Sequence, residues 1–144
     1  MIFHFFGGIH RAQFGFYKDM ADSHDTTRFF QRSRHKVSVR HHPAGHLAHK
    51  PKEGRVEVLS FESPFQAVNP AMREKYARHR RNRIAWAEHW RHDGPARPTI
   101  CLIHGFVADP YWINSRFLAM PWFYQQGYDV LLYTLPFHGR RQEA

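Results

Sequence analysis

The sequence predicts an α/β protein, in which leading strands, a helix and one strand–helix–strand unit follow a basic, irregular N-terminal arm. Three observations carry this expectation. Residues 99–103 and 129–134 are short, almost wholly apolar runs, the pattern of parallel strands covered on both faces. Between them, after an Asp109-Pro110 start and before Gly127, lies a stretch with one charge, Arg116, long enough for the crossover helix that parallel neighbours need. Charge is also divided, since the formal +9 of the 144 residues falls wholly within residues 1–97 and residues 98–144 are balanced.

With 42% hydrophobic and 16% aromatic residues the chain can build a core, which excludes the acidic, aromatic-poor disordered class. Its length suits one domain, divided into a His-rich arm at 1–54 and the α/β part at 55–144. The lone Cys101 allows no intrachain disulfide and no Cys-x-x-Cys metal site, and it suits a reducing compartment. Met1 to Ile9 has no basic leader and is broken by His4, and no apolar run approaches the roughly 18 residues of a span. The expectation is a soluble, cytoplasmic protein with no membrane partner.

Within the arm, His41 to Gly54 reads as loop because Pro43, Gly45, Pro51 and Gly54 interrupt it. Residues 55–61 alternate Val56 and Val58 around Glu57, a short strand. Asn69-Pro70 opens a helix over 71–81, with Asn69 as N-cap and Pro70 in the first turn. Arg83 to Arg91 is a strand by its Ile84, Trp86, Trp90 spacing, and Asp93-Gly94-Pro95 suggests a hairpin-like return into 99–103. Asp109 and Pro110 start the crossover helix, Pro121 kinks or breaks it near Met120, and Gly127 stops it. Its aromatic residues (Tyr111, Trp112, Phe117, Trp122, Phe123, Tyr124) lie around most of its circumference, so it wants cover on several sides.

His104-Gly105 leaves the carboxyl end of the first apolar strand, where a glycine lets backbone N–H groups turn into the crevice at a parallel sheet's edge. The bland alternative is a glycine-permitted turn with a buried, satisfied His104. Taken together, residues 98–141, from the apolar strand through His104-Gly105-Phe106 to Thr134-Leu135-Pro136-Phe137-His138-Gly139, resemble the front half of an α/β-hydrolase. In that family the second loop commonly reads D-x-R-G-H-G-x-S. Here His138-Gly139 match it, Thr134 stands where Asp is usual, and Pro136 and Phe137 replace Arg and Gly. The resemblance implies an incomplete α/β-hydrolase-like sheet and an oxyanion-hole loop at His104, Gly105, Phe106 and Val107, the donor being the N–H of Phe106 or Val107. It also implies hydrolysis of a small-molecule ester or similar acyl bond, with no metal or organic cofactor.

None of the six serines lies in the family's Gly-x-Ser-x-Gly elbow, and Ser115 falls inside the predicted helix, so no catalytic nucleophile is assigned within this chain. The chain thus reads as the N-terminal portion of a longer hydrolase, a truncated reading frame or one piece of a split enzyme. In the family's sheet order the strand at 99–103 pairs with 129–134 on one side and the nucleophile strand on the other. Without that strand its edge is open to a missing C-terminal half or a second copy. Other readings are blander. His42, His46 and His49 have helical spacing but Pro43 and Gly45 lie among them, so no metal site is assigned. His89 and His92 are read as solvated and Cys101 as a small core residue. Arg73, Lys75, Arg78, Arg80, Arg81 and Arg83 make a basic surface without a nucleic-acid-binding motif, so nucleic acid is a minor alternative, as is a non-catalytic interaction module.

Overall fold

The computed structural model describes residues 11–29, 36–105 and 110–143. It divides into two compact units, Met1–Lys36 with Pro64–His79, and Val37–Ser63 with Arg80–Ala144.

Among the described residues the first unit holds only helices as regular structure. The segment read as an irregular arm contains helix α1, Arg11–Asp22, and the single turn α2, Thr26–Phe29. Asp25 opens α2 by accepting from the backbone N–H and hydroxyl of Thr27, bonds that hold its carboxyl below the usual range. Helix α3, Pro70–Ala77, is capped as the sequence suggests, with the Asn69 side chain accepting from the Ala71 N–H at 3.0 Å. It stops four residues short of Arg81. Arg81 belongs instead to the other unit, where its backbone N–H donates to Glu143 and its guanidinium to the Gln142 carbonyl.

The second unit is a five-stranded sheet. Its strands are β1 (Arg40–Pro43), β2 (Arg55–Glu62), β3 (Ile84–Arg91), β4 (Thr99–Ile103) and β5 (Asp129–Tyr133), in the order β1-β2-β3-β5-β4. Antiparallel pairing joins β1 through β3 to β5, and β4 runs parallel to β5 in the register Ile103↔Tyr133. Two sequence expectations are corrected here. His41–Pro43 is not loop but edge strand, where a proline can sit without a ladder bond. The chain after Arg91 makes no hairpin, because β5 takes the place beside β3 and leaves β4 at the far edge.

The crossover from β4 to β5 is helical and broken, as Pro121 suggests. Helix α4, Tyr111–Phe117, and helix α5, Met120–Gln125, meet at Ala119, whose φ of +51° lies in the left-handed region. Helix α4 begins one residue later than expected, with Pro110 at the cap position, and Asp109 lies outside the described residues. Gly127, φ +92°, ends the crossover.

Side chains alternate across the sheet. One face presents Val56, Val58, Trp86, Glu88, Trp90, Leu102, Val130 and Leu132, and the crossover helices pack on it through Met120, Tyr124, Tyr111, Leu118 and Phe123. Strand β4 is therefore covered on one face only. Its burial alternates, Ile103 is 57% exposed and Cys101 is exposed rather than in the core. The helices likewise bury one side, leaving Trp112, Phe117 and Trp122 exposed.

Tyr124 ties this core to the ends of β2 and β3. Its hydroxyl reaches the carbonyls of Glu53 at 2.7 Å and Arg91 at 3.1 Å, and its ring stacks on His92 with centroids 3.8 Å apart. His92 in turn donates its backbone N–H to the buried Asp129 carboxylate, which also meets its Nδ1 at 3.0 Å. His92 is thus a paired, part-buried side chain and not a solvated one. His89, also expected in solvent, lies 3.6 Å from Glu57, and burial holds its ring toward the neutral form against the pull of Glu57 and Asp129.

Gly54 has φ +86° and sits against the Tyr124 hydroxyl, the Arg91 carbonyl and the His92 Cα, where a Cβ has no room. Gly54→Ala is expected to lower the melting temperature by several degrees, a cost of about 1 kcal/mol or more, read by thermal denaturation. A second prediction concerns pH. Burial works against ionisation of Asp129, but the two His92 contacts and the charges of His89 and His92 outweigh it and hold the carboxyl below its usual range. The native state then binds fewer protons than the unfolded chain. The stabilisation is full above the unfolded carboxylate pKa, about 3.9, and is lost as pH falls through the lower native value. Asp129→Asn is expected to cost about 1–3 kcal/mol near neutral pH. That deficit should shrink on acidification below about pH 4 in chemical denaturation, and a deficit constant from neutral pH to well below 4 would contradict it.

Candidate functional site

Because β4 and β5 are parallel neighbours, their carboxyl ends lie together at the same end of the sheet, beside one crevice. His104 follows β4 and is only 5% exposed. Its Nε2 accepts the Leu135 N–H at 3.1 Å, so the ring proton belongs on Nδ1, which donates to the Gly105 carbonyl at 2.8 Å. Thr134 follows β5, its backbone N–H donating to the Trp86 carbonyl and its hydroxyl paired with the Tyr111 hydroxyl at 2.7 Å.

The loop beyond β5 is held from below. Asn82, fully buried, accepts the Phe137 N–H at 2.7 Å. Phe137 has φ +63°, and the His138 ring lies 2.7 Å from the Pro136 carbonyl. Gly139–Arg141 then forms a 3₁₀ turn. Arg141, 1% exposed, donates to the Tyr133 hydroxyl and to the carbonyls of Thr134 and Asn82 at 2.9–3.0 Å. A buried guanidinium is costly to desolvate, and these three acceptors offset that cost by fixing the loop to the end of β5.

The two loops that the sequence singles out meet here, with the His104 and His138 rings 5.1 Å apart between centroids. Phe106 and Val107 lie outside the described residues. Beside the histidines opens a cavity of about 330 Å³, lined by His104, Pro110, Tyr111, Asn114, Thr134, Gly139 and Arg140. The Arg140 guanidinium stands 5.0 Å from the centroid of the Trp86 ring and 6.0 Å from that of Tyr111. On the same sheet face, Glu88 is buried and accepts the Trp90 indole N–H at 2.8 Å. Burial pushes the Glu88 carboxyl up, against the opposing effects of that bond and of Arg140, and burial likewise raises the Tyr111 hydroxyl.

Asn82, Glu88, Arg140 and Arg141 carry no role in the sequence reading. Arg140-Arg141 is visible there only as a basic pair in an otherwise neutral segment, and Glu88 as one charge in an apolar strand. The remaining candidates are engaged elsewhere. His42 pairs with Ser60 at 2.7 Å, His49 stacks flat on Trp90 at 4.4 Å, and the buried Ser115 hydroxyl donates to the Trp112 carbonyl. Among the described residues no group of three or more His, Cys, Asp or Glu is placed to hold a metal ion. Among them, too, no helix is long and apolar enough to cross a membrane.

If Nε2 of His104 is the acceptor that Leu135 requires, His104→Leu should destabilise the chain by about 1–3 kcal/mol, the cost of a buried unpaired N–H. His104→Gln, which can return an acceptor to that point, should recover part of the loss in the same denaturation experiment. Comparison with protein-family models and with curated proteins finds no match for this chain.

Proposed function

We propose that this chain supplies the strand-end crevice of an α/β-hydrolase-like site that holds an ester or similar acyl bond, with the serine nucleophile contributed from outside these residues. The observation that carries the reading is the meeting of the His104 and His138 loops beside one cavity, at the carboxyl ends of adjacent parallel strands. A second feature supports it. Phe137, which stands where the resembled loop has glycine, keeps a left-handed backbone, the conformation that glycine adopts most readily.

In this reading the substrate's apolar part lies in the cavity against Pro110 and Tyr111. Its carbonyl oxygen faces the chain that leaves β4, and the resemblance assigns to an N–H of Phe106 or Val107 the stabilisation of the oxyanion formed when the nucleophile attacks. One such donor is typically worth about 2.7–4 kcal/mol in the transition state. Collapse of that intermediate breaks the bond to the alcohol, which leaves with the serine's proton, and water then hydrolyses the acyl-serine to release the acid and restore the serine hydroxyl. His104 acts as a positioning residue and not as the base, since both ring nitrogens are already bonded. That engagement also favours the second reading, a binding module without catalysis of its own.

The purified 144-residue chain is expected not to turn over p-nitrophenyl esters and not to be labelled by a fluorophosphonate. An adduct on any of its six serines would overturn the assignment of the nucleophile to another segment. Coexpression or fusion with a segment bearing Gly-x-Ser-x-Gly should create labelling that neither part shows alone, and labelling of that segment unchanged by this chain would remove the shared site.

A further inference from the structure

The polar groups around the cavity are almost all engaged. His104 is bonded at both nitrogens, Thr134 pairs with Tyr111, and Asn114 also has its partner. Arg140 differs. Among the described residues its guanidinium has neither a hydrogen bond nor an ion pair, and it is held only by the faces of Trp86 and Tyr111. Glu88 is near enough to influence it electrostatically, yet its carboxylate takes the Trp90 N–H and forms no ion pair with Arg140. Arg140 is solvent-exposed at the rim of the cavity, and lying over the faces of Trp86 and Tyr111 it can turn its forked donors to an incoming anion.

From this arrangement we infer that the cavity binds a small organic carboxylate, its apolar body against Pro110 and Tyr111 and its carboxylate paired with the Arg140 guanidinium. The planar fork of arginine matches two carboxylate oxygens. Inorganic phosphate has the charge but no apolar body to set against Pro110 and Tyr111. The inference goes beyond the acyl-transfer reading. An acid bound here is a ligand whether or not a nucleophile joins the site, so failure of either reading leaves the other standing.

The test uses the intact 144-residue chain titrated with 3-phenylpropionate, followed by calorimetry and by backbone amide shifts, with 3-phenylpropanamide and inorganic phosphate as comparators. Saturable binding of the acid is expected, with shifts at Thr134, Gly139 and Arg140, and the neutral amide should bind about tenfold or more weakly. Arg140→Gln should weaken acid binding by a similar factor and leave amide binding unchanged, and Arg140→Lys, which keeps the charge but not the fork, should fall between. No saturable binding, equal binding of acid and amide, an indifferent Arg140→Gln variant, or phosphate binding as tight as the acid's would each overturn the inference. Should Arg140→Gln fail to fold, the comparison of acid, amide and phosphate on the wild-type chain decides alone.

Discussion

The parallel pairing of β4 on β5 is the constraint from which the site follows. Parallel strands cannot be joined by a tight turn, so the chain between them must cross over, and here it does so as two short helices on one face of the sheet. The register that sets Ile103 beside Tyr133 puts His104 next to the residues that follow β5, and only then can its Nε2 receive the Leu135 N–H. The same pairing explains the exposed side. With both crossover helices on one face, Cys101 and Ile103 point away from the cover, and the outer edge of β4 lacks a strand neighbour among the described residues.

Polar groups, not only apolar ones, fasten this framework at its two ends. At one end the Tyr124 hydroxyl, His92 and Asp129 join α5 to the close of β3 and the start of β5, around a glycine that no other residue could replace without moving backbone. At the other, Arg141 and Asn82 hold the loop after β5 by donating to and accepting from backbone groups. Burying such groups is favourable only when they are bonded, because each unmade bond inside costs more than a made bond returns. The consequence is a cavity most of whose polar side chains are already paired, while the Arg140 guanidinium in its lining has no hydrogen bond among the described residues.

The fold was legible in the sequence where the signal is local. Asn69-Pro70 marks the start of α3, Val56 and Val58 mark β2, Pro121 marks the break in the crossover, and Gly127 its end, because capping, alternation and the missing N–H of proline act over a few residues. The strand at Ile84–Arg91 was also readable from its spacing, but its partners were not. Nothing near Asp93-Gly94-Pro95 reports that β5, some 35 residues later, will take the position beside β3. The site was half legible for the same reason. His104-Gly105 and His138-Gly139 stand out as turn motifs, whereas Arg141, Asn82 and Glu88 acquire meaning only from residues distant in the chain.

Local backbone preferences, which each residue carries with it, made β2, α3, β3, β4, the broken crossover, β5 and the two histidine-glycine loops readable from the residues alone, whereas α1, α2 and β1 were not. The sheet order, the one-sided cover of β4, the pairing that occupies both nitrogens of His104, and the burial of Arg141 beside an exposed Arg140 came from the folded arrangement. Those outcomes depend on which strand becomes whose neighbour and in what register. That choice belongs to the whole folded chain, because each pairing gains its energy from contacts between residues that the sequence holds far apart.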